Sequence, residues 1–142
     1  MFHLRGFYIS WILSALVMYG AFYFWHGIVL TDFYRISFSK NLLYLFSACS
    51  YLIISLLIFY VYHLKFMQKF FPNLWIRALM NGVVVGSGLF MMTTVLGISF
   101  NNQLSTLTVL LDWVWQIMEQ SIGTFCIAIL EFFILHPESE NN

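Results

Sequence analysis

Long apolar stretches alternate with short polar ones along the chain. The apolar runs cover 7–30 (FYISWILSALVMYGAFYFWHGIVL), 43–64 (LYLFSACSYLIISLLIFYVYHL), 75–98 (WIRALMNGVVVGSGLFMMTTVLGI) and 107–135 (LTVLLDWVWQIMEQSIGTFCIAILEFFIL). Crossing the hydrocarbon core takes about 20 mostly apolar residues, and every run meets that length. Between them stand TDFYRISFSKN, KFMQKFFPN and SFNNQLST. Pro72 punctuates the second break, because proline has no amide proton and its predecessor avoids helical geometry. Backbone groups in a bilayer must be satisfied within the segment, so the runs predict helices. A transmembrane barrel would need alternating segments of about 10 residues, and the pattern has none. The expectation is an all-α integral membrane four-helix bundle, a single domain over 1–142, with short loops placing successive helices side by side. The first run is longer than a signal-peptide core and no small-x-small site follows it, so it predicts a retained helix.

Lysine and arginine in short loops set orientation. Arg5, Lys65, Lys69 and Arg77 fall on the side shared by both ends, and Arg35 and Lys40 fall opposite. Both termini are therefore expected in the cytoplasm. Trp11, Trp25, Trp75, Trp113 and Trp115 gather toward helix ends, where indoles anchor at headgroups.

Composition sharpens the picture. The chain is 61% hydrophobic, 20% aromatic and 8% charged, with a formal net charge of zero. Soluble domains carry roughly 25% charged residues, so a water-soluble fold is excluded. Zero net charge also removes the basic field that nucleic-acid binding needs. Cys49 and Cys126 form no C-x-x-C pair and read as small buried residues. The methionines, Met91 and Met92 among them, read as flexible core filler rather than metal ligands.

Polar residues inside the apolar runs are the candidates for function. Asp112, Gln116, Glu119 and Gly123 fall on one face of the last helix, a stripe in its outer half. An ionised carboxylate at the bilayer centre costs about 2.5–3.5 kcal/mol on insertion scales, so the stripe calls for a partner or a wet cavity. On the first helix Tyr8, Ala15, Tyr19 and His26 share a face, and His26 lies at about the depth of Asp112. An imidazole beside a carboxylate lowers the cost of burying both. The second helix presents Ser47, Tyr51 and Tyr62 on one side. Two roles stay open for the acids: hydrogen-bonded groups that fix helix packing, with a protonated Glu119 as donor, or stations on a proton or cation route.

The third helix has two distinct faces. Arg77, Asn81 and Gly88 mark one, and Gly82, Gly86, Thr93 and Gly97 mark another as a helix-packing face. Gly82 and Gly86 make the G-x-x-x-G spacing that lets helices approach closely, within one chain or between two. Glu131 and Arg77 should lie at the same cytoplasmic level, which predicts an ion pair. His26 and His63 sit near opposite ends of their helices, roughly 25–30 Å apart, so they do not ligate one haem. No cofactor or metal site is expected. Neither a nucleophile elbow nor a zinc or phosphate motif is present, so no enzyme is expected. Ser87 in VVGSGLF lacks the strand-turn-helix setting of an elbow and reads as a packing residue beside Gly86.

The stretch GAFYFWHGIVLTDF, with Trp25, His26 and Gly27, resembles the end of the first helix in small uncharacterised four-helix bacterial membrane proteins. The glycine-bearing third helix MNGVVVGSG and the polar fourth LLDWVWQ fit the same likeness. The resemblance implies architecture and a bacterial inner membrane, and carries no activity. The leading expectation for function is a non-enzymatic membrane subunit in contact with the lipid bilayer, forming a homo-oligomer or joining other membrane-protein subunits. The alternative is a small proton- or cation-coupled transporter or channel with Asp112 and Glu119 as its titrating groups and His26 as their neighbour.

Overall fold

The computed structural model describes residues 4–34, 39–98 and 105–135, and among them there is no strand. Helix α1 runs Leu4–Phe22 and continues as a π-helical segment, Tyr23–Val29. A 3-10 turn, Asp32–Tyr34, follows. Then come α2 (Lys40–Tyr62), α3 (Lys65–Phe70), α4 (Leu74–Ile98) and α5 (Thr106–Leu135). Three helical stretches are long and apolar enough to cross a membrane: Gly6–Val29, Lys40–Tyr62 and Leu74–Val95. They fall on the first three predicted runs. The fourth run forms the longest helix, α5, but is not among the three, and it carries Asp112, Gln116, Glu119, Gln120 and Glu131.

Residue contacts fix the directions. Trp11 of α1 donates its indole N–H to the Leu52 carbonyl of α2 at 2.8 Å, whereas Tyr23, further along α1, meets Tyr44, earlier on α2. Ser14 and Trp25 of α1 reach Gly123 and Trp115 of α5. Arg77 and Ser87 of α4 reach Glu131 and Trp113. Successive long helices are therefore antiparallel, as are α1 and α5, whereas α5 runs parallel to α2; α5 packs most extensively on α4, then on α1, and least on α2.

Lipid tails are as apolar as leucine, so helices in a bilayer gain little from hiding apolar side chains and associate through close contact. Small residues supply it here. A Cβ on Gly82 would stand 2.5 Å from Ser121 Cα, and one on Gly86 would stand 2.8 Å from Ile117 Cα. Both glycines are thus committed to the α4–α5 seam. Ser14 Oγ donates to the Gly123 carbonyl at 2.9 Å, and Met18 fills the space above Gly123. Large side chains such as Leu16, Ile53, Tyr60 and Val95 face outward, an inversion expected of a lipid-facing surface.

Several sequence expectations change. Cys49 is exposed and Cys126 half-buried, because the apolar runs place thiols against lipid as readily as in a core. Met91 and Met92 are exposed as well, beyond the point where α5 covers α4. The break KFMQKFFPN holds α3, whose Met67 is buried while Phe66 and Phe70 stand exposed with ring centroids 4.5 Å apart. Asn73 then caps α4: its Oδ1 accepts from the amides of Trp75 at 2.9 Å and Ile76 at 3.2 Å. That satisfies two of the donors a helix start leaves unpaired. Thr31 closes the first helix with φ of 55°, a left-handed conformation costly for a β-branched residue.

Candidate functional site

The polar residues of α5 gather in three places. The outermost is a pocket of about 330 Å³ lined by His26, Phe90, Thr93, Thr94, Asp112, Trp115 and Gln116, with Val109 at its edge. His26 reaches it from the π-helical segment, where Leu30 N–H bonds to the Trp25 carbonyl at 2.8 Å, five residues back. The wider turn carries one more residue than an α turn, and such segments recur at functional sites. Trp25, one residue earlier, stacks on Trp115 at 4.3 Å and 10°, tying this segment to α5. Thr93 Oγ1 donates to the Phe90 carbonyl at 3.0 Å. Thr93 is exposed and lines the pocket. Gly97 belongs to α4, but its packing lies outside the described residues.

Two turns inward Glu119 is enclosed, 1% exposed, and hydrogen-bonded to Tyr51 of α2. Its Oε1 has no hydrogen-bond partner among the described residues. Tyr19 does not line the outer pocket; its ring lies against Phe22 and, at 6.2 Å, against Tyr51. The stripe expected as one cluster is thus divided, with His26, Asp112 and Gln116 on the pocket and Glu119 in the interior near Tyr51. Seven residues of helix, about 10 Å, separate Asp112 from Glu119, so the two acids meet their neighbours at different levels.

Sequence reasoning passed over the residues between Glu119 and the inner end. Gln120 is fully buried, and neither its amide nitrogen nor its oxygen has a partner. Thr124 Oγ1 donates to the Gln120 carbonyl at 2.8 Å, and Asn81 Nδ2 donates to Thr124 Oγ1 at 3.2 Å and to the Ile58 carbonyl at 3.1 Å. Gln120, Thr124 and Ile127 keep helical spacing on the buried side of α5, a signal that could have found them. Ser47, by contrast, spends its hydroxyl on its own helix, at the Leu43 carbonyl.

At the inner end Arg77 Nη2 lies 3.7 Å from Glu131 Oε2 and donates to Tyr62 Oη at 3.2 Å. The guanidinium also sits over the Tyr62 ring, 4.5 Å from its centroid. His63 Nε2 stands 3.9 Å from the same carboxylate oxygen, and its Nδ1 bonds to the Phe59 carbonyl at 2.8 Å. Because Arg77 is buried and paired, it is a poor reporter of which side faces the cytoplasm; Lys65 and Lys69 on the same side are exposed. Arg35 lies outside the described residues. Among the described residues no group of three or more His, Cys, Asp or Glu could hold a metal ion.

From Asp112 to Glu131 is 19 residues of helix, about 28 Å, close to the roughly 30 Å of a hydrocarbon core. Polar side chains recur along that whole length on the side of α5 facing its neighbours. No protein-family model, no curated protein and no solved structure matches the chain.

Proposed function

We infer that this chain is an integral membrane protein crossing the bilayer with α1, α2, α4 and α5, both ends in the cytoplasm of a bacterial inner membrane, and that its interior conducts protons or small cations. The observation that carries this reading is Glu119. A carboxylate that is 1% exposed, with one oxygen unpartnered, sits midway along α5 between an open outer pocket and a buried inner cluster. Intramembrane acids in such positions mark ion and proton routes. Unpaired buried amide groups on Gln120 and an unpaired Asn81 Oδ1 extend the route inward as places for ordered water. Asp112 serves as the outer station, Glu119 as the central one and Glu131 as the inner one, neutralised by Arg77.

The reading as an assembly subunit drew its sequence support from small size, short loops, the lack of catalytic motifs and the glycine face of α4. With Gly82 and Gly86 inside the α4–α5 seam, the last of these passes to internal packing. A partner subunit would instead have to meet the apolar outer face of α2, where Ile53, Leu56, Leu57 and Tyr60 border a groove with Phe7 and Phe59.

The test is flux in liposomes reconstituted with the purified protein and loaded with a pH-sensitive dye. An imposed pH or cation gradient should collapse with wild type, and Glu119→Gln should cut the rate at least tenfold with the protein still folded. A wild type inert under proton, sodium and potassium gradients alike would overturn the conduction reading.

A further inference from the structure

The inner end of the bundle carries a surface that conduction does not use. Helix α3 (Lys65–Phe70) makes less than two turns between the end of α2 and Pro72. At 3.6 residues per turn, Lys65 and Lys69 share one side, with Phe66 and Phe70 next to them. Met67 follows beyond the phenylalanines, and Gln68 falls nearly opposite them. Burial matches this order: Met67 is turned into the protein, and the other five residues are exposed. Exposed aromatic rings beside exposed lysines suit a helix lying in the interface of a bilayer. The rings enter the top of the acyl layer, and the lysine stems run along it while their charged ends reach the phosphates.

Beside this helix opens the groove on the outer face of α2, about 570 Å³ in volume. It runs along α2 from Ile53 to His63, and Phe7 of α1, edge-on to Phe59 at 4.9 Å, borders it. That is ten residues of helix, about 15 Å. One leaflet of a roughly 30 Å hydrocarbon core is about as deep, so the groove matches the span of one acyl chain from the inner surface inward. Helices that pack together in a bilayer meet through small residues, and no Gly, Ala, Ser or Thr lines this groove. A flexible hydrocarbon chain fits such a wall better than a second helix does. His63 stands at the inner mouth, and Lys65 follows two residues later, no more than about 7 Å of chain away. An apolar channel one leaflet deep thus ends beside two exposed cations.

We propose that the inner end binds an anionic phospholipid, with one acyl chain in the groove between α1 and α2 and the phosphate held by Lys65 and Lys69. The site rests on the bilayer crossing of the proposed function and not on conduction. It commits the outer face of α2 to lipid rather than to a partner subunit. A basic residue close to an anionic lipid surface contributes about fivefold in affinity, so two lysines are enough for a measurable preference between headgroups.

Native mass spectrometry of the detergent-solubilised full chain tests it, by titration with phosphatidylglycerol and with phosphatidylcholine of the same acyl chains. One phosphatidylglycerol per chain is expected to bind, at least about fivefold tighter than phosphatidylcholine. Replacing both lysines, Lys65→Gln together with Lys69→Gln, should bring the two lipids within about twofold of each other, and the chain should stay folded because both positions are exposed. Leu57→Trp narrows the groove at an exposed position and should weaken both lipids several-fold. Glycerol phosphate, a headgroup without chains, should not displace the bound lipid. Equal binding of the two lipids, a preference unchanged in the double variant, binding indifferent to Leu57→Trp, or displacement by glycerol phosphate would overturn the proposal. So would a dimer that retains no lipid, which would give the groove to a second copy. A wild type that conducts nothing in liposomes yet prefers phosphatidylglycerol would remove conduction and support this site. Failure of the chain to float with lipid vesicles would overturn the bilayer crossing and this site together.

Discussion

The two ends of the bundle treat charge in opposite ways. At the inner end Arg77, Glu131, Tyr62 and His63 lie in mutual reach, with Arg77 and Glu131 both 8% exposed. Every charge there has an opposite charge beside it. At the outer end Asp112 lines an open pocket with room for a guest. A buried ion pair contributes little net stability, since desolvation offsets attraction, but removing one partner strands the other at a cost of several kcal/mol. The contrast teaches what surrounds charge at each end: the inner charges hold helices α2, α4 and α5 together, and the outer carboxylate borders an open cavity.

The largest effect should come from the inner end. Glu131→Gln leaves the Arg77 guanidinium without its counter-charge, and a loss of about 3–5 kcal/mol is expected in SDS-driven or thermal unfolding of the solubilised protein. A loss below about 1 kcal/mol would mean that the inner charges are solvated, and the contrast between the ends would fail. Next comes the seam that joins the ends. Gly82→Ala places a methyl against the Ser121 backbone, which cannot retreat as a side chain can, and overpacking of this kind costs about 1–3 kcal/mol. Unchanged stability there would return the glycine to a role between chains. The smallest effect belongs to the outer end, where Asp112 is half-buried and Asp112→Asn, which keeps the shape of the side chain, should cost about 1 kcal/mol or less in the same assay. A loss comparable with that of Glu131→Gln would make Asp112 a packing residue.

Hydropathy made the three apolar helices legible because a period-free run of about 20 apolar residues has few structural uses. The last helix was legible as a helix; its crossing was not, since the same polar residues that suggest function lower its apolar character. Six-residue α3 was read as a polar break, being too short to show a repeating pattern. In the site, spacing placed Asp112 and Gln116 together and put His26 at their depth. Glu119 parted from them because one helix's periodicity does not report its neighbours. His63 was weighed only against His26, yet simple depth put it level with Arg77 and Glu131. Gln120 was missed for another reason, since it looks like an ordinary interruption until its burial is seen, and Asn81 was read only as marking a face of its helix although it reaches both α2 and α5.

One contact at the outer end has a spectroscopic consequence. Trp25 and Trp115 hold their indoles nearly parallel at 4.3 Å, one on the π-helical segment and the other on α5. Rings this close couple their strong far-ultraviolet transitions, which gives paired circular-dichroism bands of opposite sign when the two transition moments are inclined to one another. Separation of the two segments by a few ångströms would erase the pair of bands. The protein thus carries an intrinsic optical gauge of the gap between its first and last helices, readable in detergent or vesicles without any attached label.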